Sequence, residues 1–360
     1  MAMSFFDIFF FPVVFISALL LALILMPLTI NILIKFNVMD EPNHRKVHTH
    51  PIPRMAGIAI YLAFALPLIF FFNQEGLPDS WKAILYGSGI ALLIGCADDI
   101  WNVPAVIKLI ALFLLTLFIW HFGVITNLPV CQFFGFENPA LNVAFNLLIT
   151  MLWLVGVTSA INALDHMDGL AGGVSVIAAL AYFAVSVQSG QAHWAIISLA
   201  LMGSLLGFLC YNKHPAKVFM GDSGSFFLGF SLASIGIMGG WSANPLKAAI
   251  IPIAVLSVPI FDLCYVIIAR RFNGTTNSII ESIAYCGKDH IGHRLHKLGF
   301  SQTLAVTMVY LIAFAIAISA LTIRQANYLE SILLLIQIIM IYVIIAIFME
   351  ITLKNRKIIN

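Results

Sequence analysis

From Phe11 to Ile34 the chain runs for 24 residues without a charged side chain. About 20 helical residues cross the hydrocarbon core of a bilayer, so a run of this length is a membrane-spanning helix or the centre of a very large core. Comparable runs recur to the end of the chain, which decides for the membrane. They lack the period-two alternation of a transmembrane barrel, and helices are the other way to satisfy every backbone group in lipid. Composition agrees: 61% of residues are hydrophobic and 9% charged, against about 25% charged in soluble domains. The N-terminal MAMSFFDIFFFPVVF has neither a basic region nor a small-residue cleavage site, and is read as the start of the first span.

The fold expected is an all-α integral membrane bundle of 10–11 transmembrane helices forming one domain over residues 1–360. The eleven apolar segments are 11–34, 56–73, 82–98, 104–122, 141–161, 170–187, 193–211, 225–240, 247–268, 302–322 and 329–352. Lys and Arg accumulate on cytoplasmic loops. With the N-terminus outside, only Lys82, Lys247 and Arg324 of the 18 Lys and Arg residues fall on the outer side. The C-terminus is then cytoplasmic, at the inner face of a bacterial plasma membrane. The inner loops at 35–55, 98–108, 162–173, 212–225 and 269–300 hold most of the acids and histidines, so any chemistry belongs there. The five cysteines include no CxxC pair, which argues against a disulfide framework or a thiolate metal site. A net charge of +2 gives no reason to expect nucleic acid.

Five constellations stand out. Asp98 and Asp99 close the third apolar run, and paired acids at a bilayer surface are costly unless they act; they suit a divalent cation, or a base beside a charge binder. Lys108 can reach the same surface. Asn162, Asp165 and Asp168 recur at a spacing of three, which puts them on one face of a helix; the glycines that follow also serve simple helix packing. Gly221-Asp222-Ser223-Gly224 opens the next helix, where backbone N–H groups favour phosphate and the acid favours a hard cation. A serine-protease reading of GDSG lacks partners to activate Ser223. The segment Asp289-His290-Ile-Gly-His293-Arg294-Leu-His296 offers imidazoles and a guanidinium to a phosphate. Zinc competes for the histidines, but without thiolates and with carboxylates nearby magnesium is preferred. The cluster Asn43-His44-Arg45-Lys46-Val-His48 reads as a solvated basic loop or a diphosphate grip.

These residues resemble, in order, the motifs of the polyprenyl-phosphate N-acetylhexosamine-1-phosphate transferases, glycosyltransferase family 4. The motifs are Lys46-Val-His48 with Pro53-Arg-Met-Ala-Gly57, Asp98-Asp99, Asn162-x-x-Asp165-x-x-Asp168-Gly-Leu-Ala, Pro215-Ala-Lys-Val-Phe219-Met-Gly-Asp222-Ser-Gly-Ser225, and His290-x-x-His293-Arg294-Leu. The resemblance runs from Asp40 to Phe300. It implies transfer of HexNAc-1-phosphate, with GlcNAc-1-phosphate the leading choice, from a UDP-sugar to polyprenyl phosphate. UMP is the other product, and the step begins a cell-envelope polysaccharide. It implies Mg²⁺, with Mn²⁺ as substitute. Asp98, Asp99 and Asp222 are then catalytic, Asp222 and Asp99 hold metal, and Lys46, His48, Asn162, Asp165, Asp168, Phe219, His290, His293 and Arg294 bind substrate. A homodimer is compatible with it. The chain departs from the pattern in two places: His166 stands where many relatives have Gly, and Gly292-His293 where they have His-His. It also lacks the HHHFE-like stretch of the peptidoglycan enzyme, which argues against a muramyl-pentapeptide donor.

Three rival classes fit less well. A secondary transporter would carry repeats and midplane acids, a scaffold would need no acids at all, and a CDP-alcohol phosphotransferase would need a DGxxAR run that is absent.

Overall fold

A computed structural model describes the backbone of residues 5–42, 50–72, 77–135, 137–285 and 287–359, and side chains between 9 and 350 within them. Lys46 and His48 lie outside the described residues. The elements are α1 (Phe5–Lys35), β1 (Met39–Asp40), β2 (Ile52–Pro53), α2 (Gly57–Phe72), α3 (Asp79–Trp101), α4 (Ala105–Trp120), α5 (Val130–Phe133), α6 (Pro139–Leu164), α7 (Leu170–Gln188), α8 (Ala192–Asn212), α9 (Gly221–Met238), α10 (Pro245–Val255), α11 (Ser257–Phe272), α12 (Ile279–Ala284), α13 (Ile291–Lys297), α14 (Gln302–Gln325) and α15 (Tyr328–Ile359). β1 and β2 form a short antiparallel ribbon with Met39 opposite Pro53.

The protein is an all-α, multi-pass membrane bundle. Seven described helices are long and apolar enough to cross a membrane, or eight if α10 and α11 are one span bent by 75°. Each of the eleven predicted segments is helical, but α2 and α4 have only 16 residues. Segment 247–268, expected as one helix, breaks between Val255 and Ser257.

Burial explains the serines and glycines of α9. It packs against α3 and α6, and all its residues from Ser223 to Gly236 are buried. A helix surrounded by helices gains from small residues and hydroxyls rather than from greasy bulk. The reverse holds at the rim, where the spans of α1 and α15 have mean hydropathies of 2.8 and 3.1 and are mostly exposed. Gly203 of α8 lets α1 approach until a Cβ there would stand 3.1 Å from that of Ala18.

Two ends of the bundle are distinct. Lys247, at the start of α10, donates to the Ala326 carbonyl at the end of α14, and Arg324 donates to Ser189 at 2.8 Å. The α3–α4, α6–α7 and α8–α9 connections gather at the other end, with the ribbon and α13.

Candidate active site

The site begins with three close approaches that glycine permits. A Cβ on Gly95 of α3 would overlap the Asp222 carbonyl, and one on Gly57 of α2 would overlap Gly224. Gly221 takes a φ of +74°, and a Cβ there would sit 2.6 Å from the Asp99 carboxylate. The start of α9 therefore nests against α2 and α3. Backbone bonds register it: Phe219 N–H donates to the Pro53 carbonyl at 2.8 Å, and Gly57 N–H to that of Met220 at 3.1 Å.

Asp99 caps α9 from another helix. Its two carboxylate oxygens each accept one backbone N–H, from Asp222 and from Ser223, both at 3.0 Å. These N–H groups have no partner within their own helix, so the negative charge satisfies them and the N-terminal dipole together. Arg54 donates to the Asp99 carbonyl. Asp98, on the preceding position of α3, forms an ion pair with Lys108, and its carboxyl neighbours that of Asp222. Asn162, at the end of α6, donates to Asp222 Oδ1 at 2.6 Å and to Ser225 Oγ at 2.9 Å. Two neighbouring carboxylates need a shared proton or a cation.

A cleft of about 610 Å³ opens over this cluster. Asp99, Asp165, Asp168, Phe219, Asp222 and His293 line it, with Arg54 and Asp40 from the ribbon side. Burial, then the charges of Asp99 and Asp168, push the Asp165 carboxyl up to about 7. Asp168 is tied to the α8–α9 connection, accepting from Ala216 N–H at 3.2 Å and bonding His214 Nδ1 at 2.7 Å. Gly169 beside it donates its N–H to Asn212 Oδ1 at 2.9 Å. Tyr310 of α14 donates to the Gly169 carbonyl at 2.6 Å.

The α11–α13 region docks against one wall of the cleft. Asp262, buried in α11, accepts Ile291 N–H at 2.7 Å and bonds His290 Nδ1 at 2.8 Å. Arg270 clasps Asp289 through two bonds of 2.8 and 2.7 Å. Burial would raise the Asp289 carboxyl, but that guanidinium holds it below its usual value. Arg294 donates to the Asp289 carbonyl at 2.6 Å and to Glu350 of α15 at 2.9 Å. So His293 faces the cleft, while His290 and Arg294 turn into the packing behind it. His166, Asp262 and His290 offer donor atoms within 4.8 Å of one another, a group capable of holding a divalent ion.

The sequence profile of glycosyl transferase family 4 matches residues 81–240. A probable undecaprenyl-phosphate N-acetylglucosaminyl 1-phosphate transferase of Bacillus subtilis is 37% identical over 322 residues, covering 88% of this chain and 85% of its own. A decaprenyl-phosphate N-acetylglucosaminephosphotransferase of Mycolicibacterium smegmatis is 31% identical, covering 80% of this chain and 75% of its own. The chain belongs to glycosyl transferase family 4. A phospho-N-acetylmuramoyl-pentapeptide-transferase of Clostridium botulinum matches at 29% identity over 74% of this chain and 80% of its own.

For this family member the fold links Asp99 and Asn162 to Asp222 by direct bonds, places Asp98 beside them, and sets Asp165, Asp168, Phe219 and His293 around the same cleft. Asp262 escaped the sequence reading, and Asn212 stood in it only as the first residue of the segment 212–225, with no role of its own. Asp262 had a signal, since an acid within an apolar run is costly. Asn212 had none beyond its place at the head of a motif.

Proposed function

We infer that this protein transfers an N-acetylhexosamine 1-phosphate, GlcNAc-1-phosphate in first place, from its UDP-linked donor to a polyprenyl phosphate. A lipid phosphate oxygen attacks the β-phosphorus, the bond from that phosphorus to the bridging oxygen breaks, and UMP leaves. The sugar's anomeric bond is untouched, so its configuration is retained. The observation that carries this reading is the meeting of Asp99, Asn162 and Asp222 from three helices beside one cleft that Asp99 and Asp222 line, in a chain whose relatives bear that activity in their names.

The donor set fits Mg²⁺, a hard cation that takes carboxylate and amide oxygens. Asp98 and Asp222, whose carboxyls are neighbours, would hold it, and when bound it would neutralise phosphate charge. Asp99 is already engaged by two backbone N–H groups, and so acts chiefly by fixing Asp222. Asn162 orients the Asp222 carboxylate. Lys108 balances Asp98, and Arg54 brings positive charge to the cleft for the phosphates. Phe219 and His293 offer flat surfaces to the donor. With the basic loops inward, the cleft opens to the cytoplasm, where UDP-sugars are found.

Purified protein should release UMP from UDP-GlcNAc only when polyprenyl phosphate and Mg²⁺ are both present. UDP-GalNAc and UDP-QuiNAc assayed in parallel test the choice of sugar. Asp222→Asn should lower turnover by at least about a hundredfold while the protein stays folded, as loss of a charge aimed at the reacting group does. Folded wild-type protein that releases no UMP from any of the three would end the reading.

A further inference from the structure

We propose that His166 is a positioning residue for this transfer, holding α13 and the His293 imidazole at the cleft wall by occupying the space a side chain at position 292 would need. The proposal rests on the reaction inferred above.

His166 belongs to the α6–α7 connection, not to α13. Its Nδ1 bonds the Ala163 carbonyl at 3.0 Å, so Nδ1 carries the proton. Its Nε2 is shut off from solvent and has no hydrogen-bond partner. That nitrogen faces α13: a Cβ on Gly292 would lie 2.9 Å from it and 2.6 Å from Met167 Sδ. The ring also packs on both neighbouring histidines. Its centroid is 5.0 Å from that of His290 and 4.7 Å from that of His293, at interplanar angles of 31° and 37°. One imidazole thus bridges two histidines of another element, and glycine between them makes room for it.

The two positions therefore behave as one volume. Either His166 fills it from the α6–α7 side with Gly292 opposite, or a side chain at 292 fills it with glycine at 166. Both are positions where the sequence departs from the motif it resembles, in opposite directions. Burial and the neighbouring imidazoles lower the His166 and His293 pKa values to about 4 and about 3, so those two rings meet uncharged at physiological pH.

Four proteins test this: wild type, His166→Gly, Gly292→His and His166→Gly/Gly292→His. Each is assayed for UMP release from UDP-GlcNAc with polyprenyl phosphate and Mg²⁺, with thermal unfolding as a check on folding. His166→Gly should raise the KM for the sugar nucleotide about tenfold, with kcat within about threefold, because His293 lines the cleft away from the paired carboxyls; coupled neighbours give effects of this size. Gly292→His beside an intact His166 overpacks the volume and should lose more. The double variant should recover to within about threefold of wild type, a non-additivity that independent sites do not give. His166→Ala/Gly292→Ala provides a second pair should the first prove unstable, and it should exceed Gly292→Ala alone. A His166→Gly enzyme with unchanged KM, or pairs no better than their Gly292 single variants, would overturn the proposal. Wild type inactive on every UDP-sugar tried would instead remove the reaction, and this role with it.

Discussion

Asp165 and Asp99 are both acids at the cleft, but their surroundings give them different work. Asp99 is held by two backbone N–H groups and has little freedom; its carboxylate fixes where α9 starts. Asp165 has no such donors, and its burial beside Asp99 and Asp168 raises its pKa to about 7. A raised carboxyl pKa means that the folded protein keeps a proton which the unfolded chain releases near the ordinary aspartate value of 3.8. Folding stability therefore falls as pH rises between those two values and levels off above the higher one. In metal-free protein the thermal midpoint should drop from pH 5 to pH 7.5, and Asp165→Asn should flatten that slope and match or exceed wild type at pH 7.5. An unchanged slope in the variant would assign the pH dependence to another group. Spacing alone had grouped Asp165 with Asn162 and Asp168 as one helical face. In the structure α6 ends at Leu164, so Asn162 reaches Asp222 while Asp168 reaches the α8–α9 connection.

At the scale of elements, α13 is a seven-residue helix, too short to persist alone. Its place is set by Asp262 below it and by the Arg270–Asp289 and Arg294–Glu350 pairs at its sides. Asp262→Ala would leave Ile291 N–H and His290 Nδ1 buried without an acceptor, at about 1–3 kcal/mol each. Hydrogen exchange over 287–297 should then quicken by more than about tenfold, while α6, α7 and α9 stay protected. Equal protection in that segment would mean that α13 is held by other contacts. Elements of this kind were the least legible in the sequence. Helix existence follows from apolar length, and all eleven segments proved helical. The bend between α10 and α11 left little trace in hydropathy, because Ser257 after Leu256 is the one polar residue in the run from Ala248 to Phe261. Docking of α13 depends on Asp262, 29 residues before Ile291 in the chain, and periodicity carries no information about a pairing at that range. The Asp98, Asn162 and Asp222 motifs were legible because each joins polar groups to the end of an apolar run, where only function or a surface explains them.

Over the whole molecule, apolarity increases outward and polarity concentrates at one end. The rim helices α1 and α15 meet lipid, whereas α9 at the centre carries serines and glycines that lipid would penalise. Because Asp99 of α3 bonds the start of α9 and Asn162 of α6 bonds Asp222, their helix ends must face one side of the membrane, whatever the number of spans. We propose from the positive-inside rule that this is the cytoplasmic side: among the described residues Lys and Arg fall mostly in the loops at this end, with Lys82, Lys247 and Arg324 at the other. Lys288 lies near α13 on an exposed stretch, and Asn244 caps α10 beside the far end of α14. α14 has 24 residues, a length of roughly 36 Å, so the two positions stand on opposite sides of the bilayer. In a cysteine-free background, a membrane-impermeant thiol reagent should label Asn244→Cys in intact cells. Lys288→Cys should react only after the membrane is opened. Labelling of Lys288→Cys in intact cells would turn the bundle over and put the cleft on the side without UDP-sugars, which would remove the proposed donor along with the orientation.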